Sequence, residues 1–148
     1  GYIDIYLPDF KYYYNELGKK YSKVDNYFEI ATLAIKEMYR QVGAPQLNKD
    51  GIMQKGLMIR HLILPNQIEN SKKVLKWIKE NMDNNIYISM MAQYFPTYKA
   101  KELDELNRKL TKEEYEEIEN YLYELDLENG YIQELGEHEE EYVPKWDC

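Results

Sequence analysis

The sequence predicts an α/β domain with a mostly parallel sheet, and three observations carry that expectation. Apolar strand patterns alternate with helix patterns along all 148 residues. Residues 56–65, Gly-Leu-Met-Ile-Arg-His-Leu-Ile-Leu-Pro, form a nearly continuous apolar run of strand length, as a parallel strand covered on both faces requires. No internal repeat or low-complexity linker interrupts the pattern, so residues 1–148 read as one domain, with an irregular acidic tail at 136–148. The predicted order is β-α-α-β-α-β-α-α-β, which implies right-handed crossovers. Four strands fall short of a closed eight-stranded barrel of about 250 residues, leaving an open sheet or a partial barrel.

Each element has a local reason. Ile3, Ile5 and Leu7 alternate with Asp4, Tyr6 and Pro8, a strand pattern closed by Pro8-Asp9. A short helix is expected near residues 15–21. Asn26-x-x-Glu29 has the form of a capping box, and behind it Ala31, Ala34, Ile35 and Met38 form an apolar helical stripe ended by Gly43 and Pro45. Residues 44–56, rich in Gly, Asn and Pro, read as a loop. Asn70 or Ser71 is expected to cap a helix that buries Val74, Leu75, Ile78 and Met82, with Lys72, Lys73, Lys76 and Lys79 as a solvated face. A strand over 86–94, a short helix over 101–109 and a second capping box, Thr111-x-x-Glu114, follow. The helix from that box turns Tyr115, Ile118, Leu122 and Leu125 inward, Asn129-Gly130 ends it, and 131–135 read as a last strand.

Composition narrows the function. With 44% hydrophobic residues the chain can bury a sizeable core, and a net charge of −8 opposes a nucleic-acid partner, which wants a basic face. The single cysteine, Cys148, excludes an intrachain disulfide framework and any metal site that needs several thiolates from this chain alone. No apolar run approaches the roughly 18 residues of a membrane span, and no signal-peptide pattern opens the chain, so a cytoplasmic protein is expected. The abrupt apolar start at Gly1 suggests a piece of a longer protein.

In parallel α/β folds ligands bind beyond the carboxyl ends of the strands, and three such ends carry chemistry. Asp9 and Lys11, two apart, share one side of an extended chain, where the acid can accept from ribose hydroxyls and the ammonium can meet an anion. The same pair also reads as a solvated ion pair. Arg60 lies inside the apolar run and cannot shed its proton, so it needs either a ligand carboxylate or a partner such as Asp4 or Asp9. His61 points to the opposite face and reads as a packing histidine. Tyr87, Ser89, Met91 and Gln93 are the polar parity of their strand, with Gln93 and Tyr94 able to hydrogen-bond a base or amide. His138, within Glu137-His138-Glu139-Glu140-Glu141, reads as part of a solvated tail. No glycine-rich phosphate loop and no nucleophile–base arrangement is present.

Taken together these segments resemble the radical S-adenosylmethionine proteins related to pyruvate formate-lyase activating enzyme, in the branch of homologues of that enzyme. The residues that carry the resemblance are 2–12 with Asp9-Phe-Lys11, 37–43, 56–65, 88–96, the pattern Leu106-x-Arg108-x-Leu110-Thr111-x-x-Glu114-Tyr115 and the Asn129-Gly130 turn. They span nearly the whole chain. The resemblance implies the C-terminal half of a partial (βα)6 TIM-like barrel. It implies a 4Fe–4S cluster held by a CxxxCxxC motif, S-adenosylmethionine cleaved to a 5′-deoxyadenosyl radical, and hydrogen abstraction from a glycyl-radical enzyme or another substrate. By match, Asp9 and Lys11 would hold S-adenosylmethionine, Arg60 would lie near its carboxylate, and Gln93 and Tyr94 near its adenine. CxxxCxxC and the Gly-Gly-Glu-type strand are absent from this chain. The expectation is therefore an oxidoreductase portion that carries no resident cofactor by itself and is inactive alone, with S-adenosylmethionine and the cluster implied for the full-length parent. Its partner would be the missing N-terminal half, and the isolated chain should homo-oligomerise through the unpaired edge at residues 3–8. The rival expectation is a stand-alone, non-catalytic protein-interaction module.

Overall fold

The computed structural model describes residues 3–83, 85–92, 106–127 and 129–132. The order is β1 (Ile5–Tyr6), α1 (Asn15–Ser22), α2 (Tyr27–Val42), β2 (Gln46–Leu47), β3 (Met53–Leu62), α3 (Ile68–Asn81), β4 (Tyr87–Met91), α4 (Lys112–Glu124) and β5 (Gly130–Ile132). The strands form one sheet in the order β1-β3-β4-β5, with β2 also paired to β3. β2 runs antiparallel to β3, whereas β1 and β4 lie parallel to β3 and β5 lies parallel to β4.

The expected fold class is thereby corrected. The described residues form a small α/β domain with four helices and a mixed sheet, in which one antiparallel pair joins three parallel ones, and not the C-terminal half of a TIM-like barrel with a parallel sheet. The physical reason lies in residues 44–56, read as a loop but folded as a hairpin. Asn48 Oδ1 accepts from the N–H groups of Asp50 and Ile52, and the Asn48 N–H bonds the Ile52 carbonyl, turning β2 back onto β3. Gly56 is the point at which β3 changes partners. Its N–H bonds the Asp4 carbonyl, its φ is +127°, and an added Cβ would lie 2.5 Å from Pro45 Cα.

β3 and β4 place alternate residues on two different faces. Leu57, Ile59, His61 and Ile63 of β3 and its continuation, with Ile86, Ile88, Met90 and Ala92 about β4, are buried against the helices. They pack on Ile35 and Val42 of α2, Val74, Leu75, Trp77 and Ile78 of α3, and Ile118 and Leu122 of α4. Met58, Arg60, Leu62, Tyr87 and Met91 on the other face are only half-buried, and Ile3, Ile5 and Leu7 leading along β1 are exposed.

The helix ends show which local rules prevailed. The Thr111–Glu114 box forms in full. Glu114 also receives a bidentate bond from Arg108 (2.7 and 3.0 Å), which in turn donates to Asn66 Oδ1 at 2.7 Å. Burial pushes the Glu114 carboxyl up, but Arg108 and the N–H groups of Thr111 and Asn66 outweigh it and hold it at about 2. The loop after β3 is thus tied to the start of α4. The Asn26–Glu29 box does not form: Asn26 is in the left-handed region, and Asn15 replaces it. Asn15 Oδ1 accepts from the Phe28 N–H, and its amide donates to the Glu29 carboxylate. α3 begins at Ile68, before the expected caps, because Asn70 and Ser71 are buried and bonded elsewhere.

α2 also differs in rotation from the expectation. Its buried residues are Thr32, Ile35 and Val42, whereas Ala34 is exposed and Ala31 and Met38 are half-buried. Ile35 of the predicted stripe is buried as expected, while Ala31, Ala34 and Met38 line an open groove of about 320 Å³ with Pro8, Val24 and Ile30. Replacing Gly56 by alanine is expected to cost about 2–4 kcal/mol through the strained φ and the Pro45 clash, read as a lowered urea midpoint with unchanged m.

Candidate functional site

The site is built around the chain that leaves β1. Pro8–Tyr13 is not a regular strand beyond a single bridge in which Asp9 pairs in parallel with Arg60. Phe10 is fully buried, edge-on to Trp77 with ring centroids 5.4 Å apart, and Tyr12 is 6% exposed. Asp9 and Lys11 alternate with them and are exposed. Burial of the two aromatic residues therefore dictates that the carboxylate and the ammonium are presented outward.

Most backbone polar groups of this segment are bonded. The Arg60 N–H donates to the Pro8 carbonyl (2.9 Å), and the Phe10 N–H donates to the Arg60 carbonyl (2.8 Å). The Tyr27 hydroxyl donates to the Asp9 carbonyl (3.2 Å) and accepts from the Lys11 N–H (2.9 Å). His61 Nδ1 lies 2.6 Å from the Phe10 carbonyl, and its Nε2 lies 2.8 Å from Ser71 Oγ. A carbonyl only accepts, so Nδ1 carries the proton and Nε2 accepts from the serine hydroxyl. Asn70 donates to the Lys11 carbonyl (2.9 Å) and accepts from the Tyr13 N–H (2.8 Å).

Arg60 resolves to an intrachain partner. Its Nε stands 3.6 Å from Asp9 Oδ1, with both side chains a little over 40% exposed, and its Nη2 meets Met91 Sδ at 3.6 Å. An ion pair this exposed is worth little in stability, so its interest lies in where it holds the two charges. Across the sheet Arg60 is in register with Ser89, which is 7% exposed. Asp9, Arg60 and Ser89 thus form one polar row on the half-open face, a carboxylate, a guanidinium and a hydroxyl, with Lys11 beside the first.

Of the sequence-predicted site residues, Asp9 and Arg60 are brought together and Lys11 lies on the same exposed side of its segment. Gln93 and Tyr94 lie outside the described residues, as does the acidic tail with His138. Tyr27 carried no sequence signal and Asn70 only that of a helix cap, because the contacts by which they hold the segment bridge 16 to 59 residues and satisfy no local motif. Among the described residues no group of three or more His, Cys, Asp and Glu could hold a metal ion, and no helix is long and apolar enough to cross a membrane.

Comparison with known proteins adds one relative. An uncharacterized protein of Methanocaldococcus jannaschii is 41% identical over 133 residues, covering 86% of this chain and 34% of that protein. The chain thus spans about a third of the length of the curated relative it matches. No protein-family description matches the chain, and no solved structure matches it.

His61 gives the site a pH signature. Burial outweighs the Phe10 hydrogen bond and lowers its pKa from the ordinary 6.5 to about 4. A folded-state value below the unfolded one means that the unfolded chain binds the proton first. The contribution is therefore full above pH 6.5 and is lost as the pH falls toward 4, by about 3 kcal/mol in all. Urea unfolding between pH 4 and 7 should show this slope, and His61→Gln should flatten it.

Proposed function

We propose that this chain is the S-adenosylmethionine-holding portion of a longer radical S-adenosylmethionine oxidoreductase, similar to the pyruvate formate-lyase activating enzymes. The observation that supports the reading is the row of Asp9, Arg60 and Ser89, with Lys11 beside it, on the half-open sheet face. These donors fit the ligand's chemistry. The Asp9 carboxylate can accept from ribose hydroxyls, and Arg60 can take the amino-acid carboxylate in bidentate geometry. Lys11 supplies a second cation, and Gln93 and Tyr94 are assigned to the adenine on the resemblance alone. When bound beside a 4Fe–4S cluster in the parent, S-adenosylmethionine would supply the oxidising radical. This chain, with one cysteine, leaves the cluster ligands to the rest of the parent. We assign the parent to the cytoplasm, with a glycyl-radical enzyme or another protein as its substrate.

The chain's own residues have defined roles in this reading. Asp9 and Arg60 offset each other before binding, and each can turn to the opposite charge on a ligand that carries both a carboxylate and cationic groups. The buried, neutral His61 stands behind Phe10 and holds the segment without taking part in ligand contact.

Titration of the chain with S-adenosylmethionine, followed by amide chemical shifts, tests the reading. Shifts are expected at Asp9, Lys11, Arg60 and Ser89, with the affinity reduced about tenfold or more in Arg60→Gln by loss of a charged bidentate contact. Shifts scattered over α3 and α4 instead would refute it. The coding sequence upstream of Gly1 tests the parent: a CxxxCxxC motif is expected there.

A second reading, a non-catalytic interaction module, is favoured by Ile3, Ile5 and Leu7, which are 50%, 38% and 53% exposed along the β1 edge. Such an edge templates pairing with another strand. In either reading the isolated chain is expected to self-associate with a second copy through residues 3–8. Light scattering should show a concentration-dependent mass that Ile5→Lys returns to a monomer, and a monomer at every concentration would count against the interface.

A further inference from the structure

We propose that Tyr27 and Asn70 are positioning residues that hold Asp9 and Lys11 in ligand-ready geometry before any ligand arrives. This rests on the reading of Asp9, Lys11 and Arg60 as a ligand-holding set.

Phe10 and Tyr12 are buried, so aromatic packing alone keeps the segment on the domain. Packing fixes the depth of those two residues, and Arg60 and His61 hold the Phe10 N–H and carbonyl; the other polar group of each of those two peptide planes, the Asp9 carbonyl and the Lys11 N–H, is left to Tyr27. The Tyr27 hydroxyl bonds the Asp9 carbonyl and the Lys11 N–H, one group from each candidate ligand residue. Asn70, 2% exposed, takes the Lys11 carbonyl and the Tyr13 N–H. Two side chains from different helices thus fix the peptides that flank Lys11 and the carbonyl of Asp9.

Without the clamp the backbone around Lys11 would keep more freedom in the free protein and lose it only when a ligand bound, at a cost in backbone entropy. Ordering it in the free protein removes that cost from binding, which is how preorganisation raises affinity. Neither hydroxyl nor amide is needed to reach the ligand.

The test separates positioning from folding. In Tyr27→Phe the ring keeps its edge-on contact with Tyr12, at 5.1 Å, and only the hydroxyl is lost. Hydrogen exchange of the Lys11 amide is expected to quicken at least tenfold while the amides of Ile59 and Ile88 keep their protection. The dissociation constant for S-adenosylmethionine is expected to rise about three- to tenfold, the loss of one or two ordinary hydrogen bonds. Asn70→Ala should quicken Tyr13 and weaken binding in the same range. Asp9→Asn should weaken binding without quickening Lys11. An unchanged Lys11 rate in Tyr27→Phe overturns the clamp, and a faster rate with unchanged affinity overturns its positioning role alone. If the wild-type chain gives no response to S-adenosylmethionine, the ligand reading itself falls and this role falls with it.

Discussion

The buried imidazole of His61 is the interaction on which the rest of the structure depends. It is 1% exposed, sits in the central strand, and joins the Phe10 carbonyl on one side to the Ser71 hydroxyl on the other. Three parts of the chain, the Phe10 segment, β3 and α3, therefore meet at one neutral ring. A hydrocarbon of the same size would fill the space but leave a buried carbonyl and a hydroxyl without partners, at about 1–3 kcal/mol each. The constraint is thus one of polar satisfaction at the seam between sheet and helices.

That seam explains why the two faces of the sheet differ in character. Toward the helices the strands carry Ile, Leu and Met packed to near-complete burial, interrupted only by His61. On the other side the same strands carry Arg60 and Ser89 between Met58, Leu62 and Met91. One face is spent on holding the domain together. The other keeps the charges of Asp9 and Arg60 where a solute or another polypeptide can meet them, with the Ser89 hydroxyl largely covered, and the short β1 runs along its border.

Much of this was legible in the sequence, where the determinants were local. The apolar run of β3, the stripe of α3 and the Thr111–Glu114 box all act within a few residues and appear at their expected places. Asp9 was already one of the two intrachain partners open to Arg60. The failures were those of distant context. Asn15 displaced Asn26 as the cap of α2, Asn70 and Ser71 left helix capping for the backbone of 11–13 and for His61, and a glycine-rich stretch became a hairpin that made the sheet mixed. The α2 stripe was partly right: Ile35 is buried, but Thr32 and Val42 join it where Ala31, Ala34 and Met38 were expected.

The hairpin has a consequence for how the chain can vary. Its turn, at Asn48–Ile52, lies before the first residue of β3, while Arg60 stands seven residues further along, roughly 23 Å at an ordinary strand rise. Side chains at the turn are exposed, and the pairing there already carries a shift of register. Extra residues inserted at this tip would be absorbed as a longer excursion into solvent, so it is the natural place for length to drift, or for a label to be grafted, without disturbing the charges at the opposite end of the strand.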